Sequence, residues 1–509
     1  MDCKRSDSIS SVEVHVSDNP PPPVGSWRTK IDEDSEASVE YEIIDANFQS
    51  SSISTEEISE ECLKRVKEKV EQKDLESGTD TVALKLARAL HPGRGPNIFK
   101  LNSKGHDKEL HQVRAVAIGP YHRGNNDRII TDDYKWQFVR YMVQCYELNT
   151  EEYLRFMKSM EPLARGYYSD GASEMDSESF LEMLLVDSCF ILFVINKLRQ
   201  SNGPGYVAHE FMRLSMDVSS NAKLIKIDLL RLENQIPFFA IKRIIADSTN
   251  AENFIQGSIE KIALSFFDDL YPQRNRDIQN RCFPRFHHLL ELFHWSRVPN
   301  GKYKLQNSSL IAMKKEPTLH IPSATELQES ATEFRKKGSG SFLDITFKHG
   351  AFNIWAAMEI PTLHIHDYSS SIFHNLIAFE NNYLNCGLCV TAYSACMARI
   401  LQSEKDAKLL RRRGILAKTQ KTDIEVVRFF EGLSDEIEGA HMPDDLFSLY
   451  STVMGHHENQ LSKYYGEFKL HYCLNPWITV SVIGATLLFI LTLMQTIYTM
   501  LGYYAPIHG

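Results

Sequence analysis

The sequence predicts a mainly α-helical protein with a small β insertion at about residues 340–367 and one C-terminal transmembrane helix. Apolar residues recur at three-to-four spacing over most of the body, the pattern typical of amphipathic helices. Around Leu343, Ile345 and Phe347 the period changes to alternation, which predicts two or three short strands. From Trp477 to Leu501 the chain then runs for 25 residues with no Asp, Glu, Lys, Arg or His.

Taken in order, the periodic segments predict the following helices. They cover residues 56–90, 134–195, 286–295, 371–379, 391–401 and 424–470. A further helix starts at 228 and breaks or kinks at Pro237, and another ends at 408–414. Gly414 follows three arginines, which suits a left-handed cap after a basic last turn.

The charge is concentrated at one end of the chain. Of 509 residues, 56 are Lys or Arg and 66 are Asp or Glu, for a formal charge of −10. Residues 1–60 hold 14 acidic and 4 basic side chains, so the other 449 residues hold 52 of each sign. A globally acidic protein is excluded, and a body with no basic excess argues against nucleic-acid binding.

This arithmetic and the apolar run together predict four regions. Residues 1–60, rich in Ser and Pro, form a disordered acidic arm because they bury too little apolar surface to offset chain entropy. Residues 61–475 form the helical domain, 476–501 the transmembrane helix and 502–509 a short tail.

The terminal apolar run predicts a partnership with the lipid bilayer over residues 477–501. A 25-residue helix is about 37 Å long, enough to cross a hydrocarbon core of roughly 30 Å with some tilt. Trp477 and Tyr498 suit the two aromatic belts, and Leu501 ends the run. The alternative is a buried core helix. Gly484 and Gln495 could support self-association, through close approach and an interhelical hydrogen bond.

The topology expected for such a protein places the body in the cytosol, with the plasma membrane as the expected location. Eight residues follow the run, so we expect insertion after synthesis. Nine scattered cysteines, an odd number, are compatible with reduced thiols. Asn307 begins a glycosylation sequon, and a glycan there would contradict this topology.

A second apolar run, 183–195, contains Asp187 and is too short to span a membrane. It predicts a core helix, with Ser179 and Glu182 at the spacing of a capping box. In the helix predicted from 228, Glu233, Asn234 and Gln235 precede Pro237. We expect these three to form a buried structural network rather than a catalytic one, since they can satisfy backbone groups that proline leaves unpaired.

Other polar constellations carry weaker signals for chemistry. Cys386 and Cys389 have redox-dithiol spacing, but two buried thiols are favoured. Alternation after Pro361 places Leu363 and Ile365 on the inward face of a strand and His364 and His366 on its outward face, where imidazoles need no metal. Arg411-Arg412-Arg413 could bind phosphate or a lipid headgroup, although a solvated helix end is favoured. The sequence therefore predicts no catalytic residue, cofactor or metal.

Several segments, taken in order, resemble one family. Residues 117–124, AIGPYHRG, resemble its IGPYHHG signature, which includes Gly119, Pro120 and Tyr121. Asp187 opens a match to DGCFIL, and 228–239 match DLLLLENQIPFF, although Arg123, Ser188 and Arg231 depart from the pattern. Over about 112–501 the chain resembles the plant family called domain of unknown function 247, or DUF247. The resemblance implies a mainly helical body, a single C-terminal span and no established activity or cofactor; some grass members are implicated as pollen-side determinants of self-incompatibility.

Three functions follow as hypotheses. The preferred one is a non-enzymatic, membrane-anchored protein of cell recognition or signalling, with a protein partner bound by segments between the family motifs or by residues 1–60. The second is a membrane-tethered enzyme centred on His122, Asp228, Glu233 or the Cys386 and Cys389 pair. The third is an oligomeric, membrane-active structural assembly.

Overall fold

The structure is a computed structural model, and it describes the chain in segments. These are residues 96–101, 112–124, 128–199, 211–249, 257–271, 283, 285–298, 321–338, 341, 343–383, 386–437, 444–470 and 476–504. The predicted arm at 1–60, the helix at 56–90, the sequon at Asn307 and the end of the tail lie outside the described residues.

The first half of the body is built around one helix that is apolar on every side. The helices here are α1 Asp132–Tyr146, α2 Thr150–Ser159, α3 Glu161–Gly166, α4 Ser177–Arg199, α5 Met212–Ser220, α6 Ala222–Asp228, α7 Phe238–Ala246, α8 Ile259–Phe266 and α9 Leu289–Arg297. Helices α1, α2, α7 and α8 pack against α4. Residues 183–195 of α4 are all buried, which confirms the predicted core helix.

The start of α4 corrects one prediction. The helix begins at Ser177, two residues before Ser179. Asp176 caps it, since its carboxylate accepts the N–H of Ser179 at 2.8 Å. The capping box expected between Ser179 and Glu182 was therefore wrong, because both residues already lie inside the helix.

A larger correction concerns the helix predicted to start at 228. Helix α6 ends at Asp228 and α7 begins at Phe238, so residues 229–237 form an irregular turn-rich segment instead. Pro237, with φ −56°, does not kink a helix but precedes the first residue of the next. All residues of this segment are buried, so its apolar spacing does not require a helix with one buried face.

The small sheet is present but is shifted from its predicted position. Strands β1 Thr332–Lys337, β2 Thr346–His349 and β3 Ala356–Pro361 are ordered β1-β3-β2, with β3 parallel to β1 and antiparallel to β2. The first strand precedes the predicted insertion, and Leu343 and Ile345 lie before β2. Strand β1 is an edge strand that ends in Arg335, Lys336 and Lys337. Because these residues are all charged, the strand has no alternation of apolar and polar residues from which it could be predicted.

The second half returns to helices after β3. They are α10 Ala324–Glu329 before the sheet, then α11 Ser369–Asn382, α12 Cys389–Ile400, α13 Glu404–Arg412, α14 Asp423–Ile437, α15 Asp444–Glu458, α16 Gln460–Phe468 and α17 Pro476–Tyr504. The pattern predicted over 424–470 thus divides into α14, α15 and α16. Asn459 separates the last two and caps α16 by accepting the N–H of Leu461. Gly414 has φ +75°, which confirms the predicted left-handed turn after α13.

Helix α16 is fixed to the body through its smallest side chains. A Cβ on Gly466 would lie 1.9 Å from the carbonyl oxygen of Glu329 and 2.7 Å from the nitrogen of Ala331. Ser462, one turn earlier, donates its hydroxyl to the carbonyl of Asn353 at 3.0 Å. Glycine is therefore required at 466 because the helix touches backbone there.

We expect Gly466→Ala to detach α16 from the end of α10, because the added methyl meets backbone that cannot rotate away. Amide hydrogen exchange over α16 should accelerate while exchange in α4 is unchanged. Gly455→Ala is the matched control, since nothing lies within 4 Å of its Cβ and alanine favours a helix interior. Equal exchange in the two variants would contradict the close packing at Gly466.

Candidate functional site

The residues singled out by the family signatures converge in one buried place, which we call the signature junction. It comprises residues 114–123, Asp187 of α4 and residues 228–237. Asn234 accepts the N–H of Ile118 at 2.7 Å and donates its amide to the carbonyl of Val116 at 3.1 Å. Asp187 accepts the N–H of Gly119 at 2.8 Å. The junction thus joins segments that lie up to 118 positions apart in sequence.

Asp228, the last residue of α6, holds the start of the 114–123 segment. Its carboxylate accepts the N–H groups of Arg114, Ala115 and Val116, the shortest at 2.6 Å from Ala115. It also accepts from Arg231 Nε at 3.1 Å. Burial lowers the pKa of Arg231 although Asp228 opposes that effect. Asp228 therefore satisfies the backbone N–H groups of residues 114–116, which belong to no helix or named strand.

A buried ion pair forms the centre of the junction. Lys135 of α1 donates to Asp187 Oδ1 at 2.5 Å, and neither side chain is exposed. Lys135 also donates to the carbonyl of Ala117, so one ammonium joins α1, α4 and the signature segment. Asp132 lies 3.0 Å from Lys135 and 3.5 Å from Arg123. Burial raises the pKa of Asp132, but the two cations outweigh it and lower the pKa below its usual value.

Gln235 stabilises the non-helical course of residues 229–237. Its amide nitrogen donates to the carbonyls of Leu229 and Arg231, both at 2.8 Å, and its amide oxygen accepts the N–H of Leu290 at 3.2 Å. These bonds satisfy backbone groups that a helix would have satisfied itself. Asn234 and Gln235 do form the buried structural network that the sequence predicts, but in an irregular segment rather than a helix.

The accessible edge of the junction contains a histidine and a carboxylate. His122 Nε2 lies 3.2 Å from Glu233 Oε2, with side chains 20% and 10% exposed. The other oxygen of Glu233 accepts the N–H of Leu101 at 2.5 Å. Next to His122, Tyr121 donates its hydroxyl to Asp170 at 2.9 Å, and burial raises the pKa of Tyr121. Pro120 completes this turn after Gly119.

The residues considered for an enzyme are only partly brought together. His122 and Glu233 form the pair just described, but Asp228 is 1% exposed and is occupied by backbone N–H groups. Cys386 is buried, donates to the carbonyl of Tyr383 at 3.0 Å, and has a pKa raised by burial. A raised pKa keeps a thiol protonated and unreactive.

A second buried cluster was missed by sequence reasoning. Glu380 of α11 accepts the N–H groups of Val390 and Thr391, each at 2.8 Å, at the first turn of α12. His294 Nε2 lies 2.6 Å from the same carboxylate, and both side chains are fully buried. In the sequence, Glu380 is only a single acidic residue at the end of an apolar helix, and nothing there indicates which residues it contacts.

His288 caps α9 in a way that fixes its protonation state. Its Nδ1 accepts the N–H of Glu291 at 3.2 Å, so Nε2 carries the hydrogen donated to the carbonyl of Asn97. Burial lowers the pKa of His288 from 6.5 to about 4, against the opposing carboxylate of Glu291.

This lowered pKa predicts a pH dependence. Between pH 6.5 and 4 the unfolded chain binds a proton at His288 that the folded chain excludes, so stability falls as the pH falls, by up to about 3 kcal/mol. His288→Asn keeps a capping oxygen but has no titrating ring. In this variant the slope of the unfolding free energy against pH should therefore decrease by the equivalent of about one bound proton between pH 4 and 6.5. Denaturant unfolding at several pH values measures this slope. The exposed His364→Asn is the control, and a His288→Asn curve parallel to the parent curve would refute the assignment.

The remaining constellations have structural surroundings. His364 is exposed and His366 half-buried, while Leu363 and Ile365 are buried, as the alternation predicts. Leu363, however, forms an isolated bridge to Leu416 rather than part of a strand. Among the described residues, no group of three or more His, Cys, Asp or Glu side chains is arranged to hold a metal ion.

The triple-arginine segment is partly engaged by the body. Arg411 contacts Asp423 at 2.6 Å and donates to the carbonyl of Ala417 at 2.8 Å, while Arg412 and Arg413 are exposed. The first arginine therefore joins the end of α13 to α14. Arg412 faces solvent, and Arg413, although exposed, lies 3.8 Å from Glu333 of β1.

Helix α17 differs in its exposure from the other helices that the structure describes. Within Pro476–Tyr504, residues Val480–Leu501 form a 22-residue stretch that is long and apolar enough to cross a membrane, and none of it is buried. Its serine and threonine hydroxyls bond within the helix; for example, Thr486 donates to the carbonyl of Val482 and Thr492 to that of Leu488. Such bonds allow polar residues within an apolar environment. Nothing lies within 4 Å of the Cβ position of Gly484.

Comparisons with known proteins match one plant family over most of the chain. The family model DUF247, described as a plant protein of unknown function, matches residues 98–491. A UPF0481 protein of Arabidopsis thaliana is 22% identical over 415 residues, which are 78% of this chain and 84% of the relative. A putative UPF0481 protein of the same plant is 23% identical over 193 residues, 37% of this chain and 36% of the relative. No solved structure matches the chain.

Proposed function

Because the chain belongs to DUF247, a plant family of unknown function, we propose that it acts without catalysis, as a single-pass membrane-anchored protein of cell recognition or signalling. The body lies in the cytosol and the anchor in the plasma membrane. A finer form of the proposal, a pollen-side determinant of self-incompatibility, rests on the family resemblance alone.

The observation that carries the anchoring is the exposure of α17. A soluble protein buries its apolar helices, as this chain does with residues 183–195 of α4, because exposed apolar surface is unfavourable in water. Yet Leu488 and Phe489 of α17 are 67% and 69% exposed. The same surface is favourable in hydrocarbon, where a helix satisfies its own backbone groups.

The non-catalytic part of the proposal is supported by the signature junction. Its buried carboxylates, Asp187 and Asp228, accept backbone N–H groups and pair with Lys135 and Arg231. Motifs that hold backbone segments together maintain a scaffold. Under this proposal, recognition belongs to the surface segments between the motifs or to residues 1–60.

Topology is tested by protease protection on sealed plasma-membrane vesicles of both orientations, with alkaline extraction to establish integral insertion. We expect the protein to resist extraction and the body to be digested only in vesicles that expose the cytosolic face. Release by alkali would contradict anchoring, and a glycan on Asn307 would contradict the cytosolic body.

The recognition role is tested by exchanging residues 1–60, and separately residues 299–320, with those of a close relative that binds a different partner. Co-precipitation should follow the exchanged segment while the membrane fraction is unchanged. If partner choice stays with the remainder of the chain in both exchanges, recognition is not located there.

A further inference from the structure

Helix α16 has an apolar face turned away from the body. Leu461, Tyr464, Tyr465 and Phe468 are 61%, 68%, 40% and 44% exposed. They recur at i, i+3, i+4 and i+7, so they form one continuous stripe along the helix. Ser462 and Gly466, which dock the helix on the body, lie roughly 130° around the axis at about 100° per residue.

The close docking fixes this orientation. Gly466 meets the backbone at Glu329 and Ala331, and Ser462 is bonded to Asn353, so α16 cannot turn its stripe inward without losing both contacts. The stripe is therefore presented outward by a rigid support.

An additional exposed aromatic lies close to this support. Phe352, next to Asn353, is 88% exposed and adopts the left-handed conformation with φ 56° and ψ 18°. That conformation costs an L-residue about 1–2 kcal/mol. Exposure together with backbone strain at one residue is typical of functional surfaces rather than of packing.

Chain continuity places this surface near the anchor. Phe468 and Pro476 are eight residues apart, which a fully extended chain spans in at most about 28 Å. The stripe contains two tyrosines, the residue type that favours the membrane–water interface.

We propose that the outward face of α16, formed by Leu461, Tyr464, Tyr465 and Phe468, rests in the headgroup region of the bilayer that α17 enters. The proposal builds on the membrane anchoring proposed above and adds a second, in-plane contact. An amphipathic helix in this position buries its apolar face about 5–10 Å into the headgroup boundary. Two contacts, one spanning and one lying on the surface, would fix the body's distance and orientation relative to the membrane.

The test uses the full chain reconstituted in vesicles of phosphatidylcholine and phosphatidylserine, with the photoreactive residue p-benzoylphenylalanine placed at single sites. The test sites are Leu461 and Tyr464. The positive control is Leu488 in α17, and the negative control is Lys405, an exposed residue of α13. After illumination, lipid adducts are quantified by mass spectrometry of the peptides.

We expect adduct yields at Leu461 and Tyr464 to exceed that at Lys405 by about tenfold or more, as befits side chains placed at the acyl boundary. Adducts at Leu488 but not at Tyr464 would overturn this proposal and leave the anchor intact. An absence of adducts at Leu488 would overturn the anchoring itself. Cross-links from Tyr464 to a second copy or to another protein, without lipid adducts, would also refute a lipid-facing stripe.

Tyr464→Glu gives a second readout, because a carboxylate is unfavourable at the acyl boundary and is repelled by phosphatidylserine. In this variant, lipid adducts at Leu461 should fall severalfold, while those at Leu488 stay constant. Tyr464→Phe is the matched control and should retain the parent yield. Equal yields in the Glu and Phe variants would contradict burial of the stripe in lipid.

Discussion

Lys135→Met is expected to lower the free energy of unfolding of the body by about 3–5 kcal/mol, because it removes the closest cation from the buried carboxylate of Asp187. Asp187 would lose the ammonium at 2.5 Å and keep the N–H of Gly119, with Arg123 at 3.7 Å. The ammonium bond to the carbonyl of Ala117 would be lost as well. The measurement is denaturant unfolding of the full chain in detergent micelles, followed by proteolysis of the unfolded body.

Two further variants separate charge from packing. Lys135→Met with Asp187→Leu removes both charges, so its loss should be smaller than the sum of the two single losses. Arg155→Met is the surface control: its partners Glu151 and Glu152 are 39% and 46% exposed, and its loss should stay below about 1 kcal/mol. A Lys135→Met loss as small as that of Arg155→Met would mean that the pair is solvated.

Gly119→Ala is expected to be the most disruptive change of a single methyl group in the signature junction. Gly119 has φ +74°, and an added Cβ would lie 2.4 Å from the carbonyl oxygen of Gln235. To relieve this overlap, the 114–123 segment must move from residues 228–237, which would stretch the bonds that Asp187 and Asn234 make to it. We expect the free energy of unfolding to fall by about 3 kcal/mol or more, which is the cost of placing alanine in a left-handed conformation plus the cost of the overpacked contact.

Gly124→Ala is the matched control for backbone conformation. Gly124 has φ +81° but nothing within 4 Å of its Cβ position, so it should show only the conformational penalty of about 1–2 kcal/mol. The same unfolding measurement applies to both variants. Similar losses of stability at the two glycines would mean that the requirement for glycine at 119 comes from the backbone conformation alone and not from the close approach to Gln235.

Prediction from the sequence succeeded where a feature is local. The exposed, uncharged run of α17 and the buried run of α4 both follow from composition and length, and the turn at Gly414 follows from one residue type after a basic helix end. Alternation also assigned Leu363 and Ile365 inward without any knowledge of the fold.

Prediction failed where a feature depends on a distant partner. Residues 229–237 have helical periodicity, yet Asn234 and Gln235 bond to Val116 and Leu290 and to carbonyls within the same segment, which stabilise a different path. Strand β1 has a charged sequence and exists because β3 pairs with it in parallel. The Glu380 and His294 contact joins residues 86 positions apart.

The sequence by itself determined a helical class, a core helix and an apolar segment able to span a membrane, because these depend on composition and period within about twenty residues. It also identified the residues of the signature junction, without their partners. Only the tertiary structure decided that Asp187 pairs with Lys135, that Gly119 lies against Gln235 and that α16 turns its aromatic stripe outward. These contacts join residues that are far apart in sequence and become neighbours only in the folded chain, and local periodicity contains no information about such pairs.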